Sequence, residues 1–313
     1  MQKVIVTGGA GFIGSNLVDR LISDGYHVIV IDNEHSDAHE QFYWNEKAEN
    51  YKYDIRNYKD IEPLFKGVDF VFHLAAEARI QPAIQNPITA VEINVVGTCN
   101  ILQASRIHKV KRVIYSSSSS AYGLKNEIPL KETMPKDCLN PYSVSKTAGE
   151  ELCKMYTDLF GLKTITFRYF NVYGERQPTK GQYAPVIGLF HRQNLNHEPM
   201  TVVGDGLQTR DYTHVSDVVE ANIAASKCKE GFGGLFNIGC GKQHSVLDLT
   251  EMIGRAGGGK WKVLHIDSRP GESRHTLADI SKSKEILKWE PKVQLEEWIN
   301  KSLYKPYYIK GGE

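Results

Sequence analysis

The sequence is poor in the features that mark a disulfide scaffold, a membrane protein or a nucleic-acid binder. Its cysteines, Cys99, Cys138, Cys153, Cys228 and Cys240, are widely spaced, odd in number and form no CxxC. That pattern excludes a disulfide framework and predicts reduced thiols. No His/Cys cluster has ligand spacing, so no metal is expected. Neither sign of charge is in excess: 38 Lys+Arg against 37 Asp+Glu give a formal net charge of +1. There is thus no electrostatic ground for nucleic-acid binding. No apolar run reaches the roughly 18 residues of a membrane helix. MQKVIVTGGAGFIG has no apolar stretch of signal-peptide length ahead of its glycines. A cytoplasmic protein with no membrane or nucleic-acid partner is expected, and no internal repeat is visible.

What is present is 313 residues, 41% of them hydrophobic, enough for a large core or for a main domain with a smaller lobe. Short apolar runs alternate with segments of helical period. Lys3–Val6, His27–Ile31, Phe70–His73, Val110–Tyr115 and Lys163–Phe167 read as buried strands. Phe12–Asp24, Tyr58–Phe65, Thr89–Ile107 and Ser143–Leu159 read as helices. This alternation predicts an α/β fold, a Rossmann-type doubly wound parallel sheet. After Phe167 the pattern loosens. Residues 175–183 look like a loop, Gly188–Asn196 a helix, and Val202–Val203 a short strand. Residues 1–170 are expected to form the dinucleotide domain. Residues 171–313 should form mainly a smaller α/β substrate lobe, with about 211–250 returning to the main sheet.

Ligands of such sheets lie beyond the carboxyl ends of the strands. The first such end carries Thr7-Gly-Gly-Ala-Gly-Phe-Ile-Gly14, in which Gly8, Gly11 and Gly14 open the first helix. Glycines there let backbone approach a pyrophosphate, and the helix N-terminus presents free N–H groups. A glycine triplet alone is a weak signal, but here a strand precedes it and a helix follows. An acid, Asp32, ends the next strand, where it suits the adenosine ribose diol and repels a 2′-phosphate; NAD is therefore favoured over NADP. Asp54 is either an adenine contact or a helix cap. Leu74, Ala75 and Ala76 end a strand in small residues beside the cofactor, while His73 is expected to pack rather than react. Phe12, Ile13, Asn33, Ile55, Asn94 and Tyr169 complete the expected cofactor surface.

The stretch YSSSSSAYG follows a buried strand and so reads as a strand end carrying hydroxyls rather than as a linker. Tyr142 and Lys146 stand four apart in PYSVSK, on one helix face. A nearby ammonium is expected to lower the tyrosine pKa toward neutrality. Most YxxxK pairs are solvated helix faces; the glycine loop and the serine strand end favour the functional reading here.

With these motifs together the chain resembles the extended short-chain dehydrogenases/reductases, and among them the NAD-dependent nucleotide-sugar 4-epimerases of the UDP-glucose/UDP-N-acetylglucosamine type. The resemblance covers nearly the whole chain, through TGGAGFIG, VIVIDN, FHLAA, EINVVGT, YSSSSSAYG, PYSVSK, FRYFNVYG, GDGLQTRDYTHVSD, FNIGCG and RPGESRHTLAD. It implies Ser118 as the catalytic hydroxyl, Ser119 as its neighbour, and Tyr142 and Lys146 as the catalytic pair. Dehydrating relatives carry an Asp-Glu pair in this stretch and decarboxylating ones a glutamate at the position of Ser120; serines here point to epimerisation. For a UDP-sugar substrate the resemblance implies Asn171, Arg210 and Arg269 at the diphosphate and Thr201 and Val203 along the uridine. Glu272 is implied at the ribose, Val186 in the pocket wall and Thr276 as gatekeeper. A small gatekeeper leaves room for an N-acetyl group, so UDP-GlcNAc and UDP-GalNAc are the expected pair, with UDP-Glc and UDP-Gal beside them. UDP-glucuronate epimerisation or a reductase or dehydrogenase activity is the alternative. Relatives pair the two long helices in a dimer, so a homodimer is expected.

Overall fold

A computed structural model describes residues 1–180, 184–268, 271 and 273–303, with backbone alone at 302. In chain order the first half contains β1 (Lys3–Thr7), α1 (Phe12–Ser23), β2 (His27–Ile31), β3 (Glu49–Tyr51), α2 (Tyr58–Ile61), β4 (Phe70–His73), α3 (Ile80–Gln85), α4 (Pro87–Val91), α5 (Thr98–Ile107), β5 (Arg112–Ser118), α6 (Pro141–Phe160) and β6 (Thr164–Tyr169). The second half contains β7 (Val172–Tyr173), α7 (Val186–Leu195), β8 (Met200–Val203), β9 (Thr209–Asp211), β10 (Thr213–His214), α8 (Val215–Lys227), β11 (Gly234–Ile238), β12 (Gln243–Ser245), α9 (Val246–Ala256), β13 (Val263–Ile266) and α10 (Leu295–Ser302).

Seven strands form one parallel sheet in the order β11-β6-β5-β4-β1-β2-β3. Its central strands carry apolar runs, Val4–Val6, Phe70–Phe72 and Val113–Tyr115, because helices cover both faces. On one face Leu17, Val18 and Leu21 of α1 and Val218 and Ala221 of α8 pack on Val4, Val6 and Phe72. On the other, Ile101 and Leu102 of α5 and Cys153 and Tyr156 of α6 pack on Ile5, Val71 and Val113. This is the doubly wound fold read from the sequence. β11 enters the main sheet beside β6, and α8 packs on α1. The paired strands β8 and β13, with α7, α9 and α10, surround a separate core of Ile187, Phe190, Leu249 and Trp298.

Three differences from the expected elements bear on the site. β5 does not stop at Tyr115: Ser116, Ser117 and Ser118 pair with Phe167, Arg168 and Tyr169, and only Ser119–Tyr122 turn off as a 3₁₀ segment. The serines are therefore sheet. The expected Thr89–Ile107 helix begins at Pro87, capped by Asn86, and widens to a π turn at Glu92–Gly97. That turn brings Gly97 against Ile55, whose Cδ1 would lie 2.5 Å from an added Cβ. α6 starts at Pro141 rather than Ser143, because Asn140 and Ser143 form a reciprocal capping box.

Candidate active site

The cofactor half of the site is a cleft at the carboxyl ends of β1, β2, β4 and β5. It continues between the main sheet and the smaller lobe as one cavity of about 600 Å³. Gly8 turns the chain with φ +68°, and a Cβ there would lie 2.7 Å from the Ala75 nitrogen. At Gly14 a Cβ would lie 2.0 Å from the Gly8 carbonyl oxygen, so α1 approaches the loop as only glycine allows. Gly11 caps α1 without any side-chain hydrogen bond, leaving first-turn N–H groups facing the cleft. Asp32 accepts hydrogen bonds from the Ala10 and Glu34 nitrogens at 3.0 and 2.8 Å. Burial pushes its pKa up, and those bonds oppose the shift. A loop built for close backbone approach, an open helix N-terminus and a fixed carboxylate on one cavity fit a dinucleotide.

Phe12, Ile13, Asn33, Ile55, Leu74, Ala75, Ala76 and Tyr169 line this cavity, as does Asp54. The Asp54 carboxylate is nevertheless engaged by Arg56 at 2.7 Å and by the Asn33 amide at 3.0 Å, and the Arg56 bond holds it below the usual carboxylate range. Asn94 does not line the cavity. The π turn directs it inward, where it bonds the Glu77 nitrogen and oxygen and the Ser145 hydroxyl at 2.9–3.0 Å. His73 is buried between Thr7 and Thr98 hydroxyls at 2.7 and 2.9 Å, and burial takes its pKa down to about 3. It is a neutral packing residue, as expected.

At the far end of the cleft Ser118, Ser119, Tyr142 and Lys146 come together. The Ser118 hydroxyl accepts the Ser120 N–H at 3.2 Å and stands beside Tyr142, whose pKa it holds down. The Lys146 ammonium lies 4.6 Å from the Tyr115 ring centroid. One expectation is corrected here. Tyr142 is not lowered by Lys146: burial raises it, Ser118 opposes, and the Glu77 charge adds to the rise. The lysine is the group displaced toward neutrality, to about 7, by burial. The sequence argument placed the pair on one helix face but took no account of how deeply both groups sit.

On the substrate side Asn171, Val186, Thr201, Val203, Arg210 and Thr276 all line the cavity. Asn171 has φ +26° and bonds the Asp211 carbonyl at 3.0 Å. The Arg210 guanidinium donates to the Thr209 and Arg274 carbonyls. Asp211 turns away from it, to accept the Cys240, Gly241 and Ala278 nitrogens. Thr201 and Val203 already spend backbone groups on Gln193 and Gln208. Arg269 and Glu272 lie outside the described residues.

Sequence reasoning missed several groups. Ser116 bonds the Tyr169 phenol, and Tyr173, Gln208, Tyr212 and Ser273 join the wall. Arg79 lines the cleft and pairs with Asp37 at 2.6 Å, while His35 approaches Glu77 at 3.5 Å. No motif announces Arg79 or His35; they reach the cleft through the turn after β4 and the loop after β2.

The match to known proteins is extensive. Residues 5–302 match the family model described as GDP-mannose 4,6 dehydratase, and the chain belongs to that family, within the extended short-chain dehydrogenases/reductases. It is 40% identical over 301 residues to the putative UDP-glucose 4-epimerase of Methanocaldococcus jannaschii, covering 95% of this chain and 96% of that protein. The crystal structure of the Thermotoga maritima UDP-glucose 4-epimerase with UDP-glucose superposes with TM-score 0.94 at 36% identity, covering 100% of both chains. The Methanobrevibacter ruminantium UDP-N-acetylglucosamine 4-epimerase, in complex with UDP-N-acetylmuramic acid, gives 0.91 at 34%, covering 98% of both. Further relatives were solved with NAD, one of them a UDP-glucuronic acid 4-epimerase.

Proposed function

We propose that this protein is an NAD-dependent UDP-hexose 4-epimerase that interconverts UDP-GlcNAc and UDP-GalNAc, with UDP-Glc and UDP-Gal as smaller substrates of the same pocket. The cofactor is NAD, and Gly8, Gly11, Gly14 and Asp32 would hold it. When bound, NAD supplies at its nicotinamide a fixed positive charge and a site that takes up and returns one hydride, so the sugar passes through a 4-keto form. The observation that carries the reading is the convergence of Ser118, Tyr142 and Lys146 on one cavity wall. It lies where the dinucleotide cleft meets the smaller lobe, and the strand end offers hydroxyls but no carboxylate.

Tyr142, as phenolate, takes the proton of the sugar 4-hydroxyl, directly or through Ser118, and returns it when the carbonyl is reduced. Lys146, as ammonium, stabilises the phenolate that begins and ends that exchange. Asn171, Arg210 and Arg269 are assigned to the diphosphate, which stays anchored while the sugar turns over. Glu272 is assigned to the uridine ribose. Thr276 is the small residue that admits an acetamido group. A second reading, UDP-glucuronate epimerisation, is favoured by Ser120: its buried hydroxyl has no partner and lies on the cavity wall, where it suits a sugar carboxylate.

Ile88, Val91, Val96 and Ile107 on or near α4 and α5, and Val144, Met155 and Leu159 on α6, are exposed. We assign this face to a homodimer, which sedimentation measurements test. For the chemistry, Tyr142→Phe is expected to slow epimerisation by about 10²–10⁴-fold while NAD content is unchanged. Near-normal turnover by that variant would sink the assignment. Side-by-side rates on UDP-GlcNAc, UDP-Glc and UDP-glucuronate decide the sugar.

A further inference from the structure

Behind the serine strand end sits a buried charge pair for which the proposed reaction has no use. Ser117 and Arg168 face each other across β5 and β6 in register. Glu150 of α6 closes over both. Its Oε1 accepts the Ser117 hydroxyl at 2.7 Å and Arg168 Nε at 2.8 Å, and its Oε2 accepts Arg168 Nη2 at 2.7 Å. Ser117, Glu150 and Arg168 are 3%, 4% and 1% exposed. Lys136, nearer solvent, adds a contact to Oε2 at 3.3 Å. The guanidinium also lies 4.5 Å from the Tyr122 ring centroid, and the Tyr122 phenol donates to Asn237.

A buried ion pair is a poor means of adding stability, because desolvation consumes most of the attraction and an apolar pair of the same shape does as well. Its place in the molecule suggests another use. Tyr142, Lys146 and Glu150 recur at four-residue spacing on α6, so they share one helix face. The strand residue held by Glu150 immediately precedes Ser118, whose hydroxyl meets Tyr142.

We propose that Glu150, neutralised on its far side by Arg168, is a positioning residue for the active site: it tethers the β5 end through Ser117 so that Ser118 meets Tyr142, and it sets a negative charge one helical turn beyond Lys146. The titratable groups facing Lys146 are Tyr142, Glu150 and Cys153 on its own helix, Tyr115 on β5 and His73 on β4. Of these, His73 is neutral, and burial keeps the Tyr115 and Cys153 groups protonated. Cys153 and Glu150 both favour the ammonium against the burial that takes Lys146 down to about 7, and of the two Glu150 is the one paired with a cation, Arg168.

This inference rests on reading Tyr142 and Lys146 as the proton-handling pair, so its test has one arm that needs no turnover. In that arm the Lys146 ammonium is titrated by NMR in the purified protein and assigned by its loss in Lys146→Arg. In Glu150→Gln/Arg168→Gln, which removes both charges and leaves neither unpaired, Lys146 should titrate lower. The expected shift is about one pH unit: a unit charge about one helical turn away at an effective dielectric of about 20 gives about two, and loss of the more distant Arg168 charge returns about half of it. Glu150→Asp should restore it. In the second arm, on whichever UDP-sugar the wild type turns over, the double variant should move the alkaline limb of kcat to lower pH by the same amount. Ser117→Ala, which keeps the ion pair, should lower kcat about tenfold with KM and the limb unmoved.

A folded double variant in which Lys146 titrates as in the wild type overturns the charge role. Ser117→Ala with wild-type kcat overturns the tether. A double variant that fails to fold overturns the proposal as well, since the pair would then belong to the scaffold. A wild type inactive on every UDP-sugar refutes the proposed function but leaves the titration arm standing.

Discussion

Replacing Gly14 by alanine separates the two jobs of the glycine loop. An added Cβ would lie 2.0 Å from the Gly8 carbonyl oxygen and 2.8 Å from the Gly9 Cα. Ordinary contacts of this kind exceed 3 Å, and both partners are backbone, so α1 must move by about 1 Å away from the loop. Alanine gains about 1 kcal/mol of helix propensity over glycine. Overpacking of this kind costs typically about 1–3 kcal/mol, so the clash should win by up to about 2 kcal/mol. At about 2–4 °C per kcal/mol for a chain of this size or somewhat smaller, Tm should fall by several degrees. Gly11 is the control. Its Cβ would lie 3.5 Å from the Gly8 oxygen and 3.6 Å from His39 Nε2, which is ordinary contact, and its φ is −79°. Gly11→Ala should therefore fold with an unchanged Tm, yet place a methyl group over the open helix N-terminus. Differential scanning calorimetry, with released NAD measured after denaturation, reads both effects. Gly14→Ala should lose Tm and NAD, Gly11→Ala NAD alone. If Gly14→Ala melts like the wild type with full NAD, or Gly11→Ala retains NAD, the cradle reasoning is wrong.

Lys146→Met tests the burial of the lysine. A lysine whose folded pKa of about 7 lies below its ordinary 10.5 binds fewer protons folded than unfolded, so stability should rise with pH between those values. Urea unfolding at neutral and alkaline pH should show that rise in the wild type and not in the variant; equal slopes would contradict it. Thr276→Tyr should reduce turnover of UDP-GlcNAc by about tenfold or more relative to UDP-Glc, read by competition between the two sugars; an equal loss on both would remove Thr276 as gatekeeper. Turnover in D₂O should leave no deuterium on carbon, read by mass spectrometry of the product. One deuteron per turnover at C5 would instead reveal dehydratase-type proton abstraction.

The parallel sheet and the glycine loop were legible because their signals are local. KVIV, HVIVI and FVFH each hold an unbroken run of three or four apolar residues, and Gly8 and Gly14 answer to contacts within a few residues or at the neighbouring strand end. The YxxxK pair was legible for the same reason, since helical period alone puts both groups on one face. What failed was whatever depends on depth or on partners distant in sequence. Tyr142 is raised and Lys146 lowered because the wall around them is closed by β4, β5 and α6, and spacing carries no information about burial. Asn94 turned inward because a π turn offsets it from the face a regular helix would give. Glu150 could have been found from its four-residue spacing beyond Lys146, but its partners Ser117 and Arg168 meet only through strand register. Arg79 reaches the cleft from a turn with no motif. The strands β9, β10 and β12 are polar throughout and carry no apolar signal, while β11 and β13 are mostly apolar but only five and four residues long.

Membership of a family whose model is described by a dehydratase does not carry dehydration to this chain, and the placement of its carboxylates says why. Removing a C5 proton needs a base that faces the sugar. Glu77 is buried off the cavity wall, its carboxylate accepting the Arg79 backbone N–H at 3.2 Å. Glu150 is turned behind β5 onto Ser117 and Arg168. Asp211, whose pKa burial raises to about 6, is turned into the lobe onto three backbone nitrogens. The described residues that line the reaction end include Ser118, Ser119, Tyr142 and Thr276, which carry hydroxyls, and the two cations Lys146 and Arg210. Such a set exchanges protons with oxygen and anchors anions, but it offers no base for carbon. That is the chemistry an epimerase needs, and it assigns the acids to holding the walls in which the hydroxyls work.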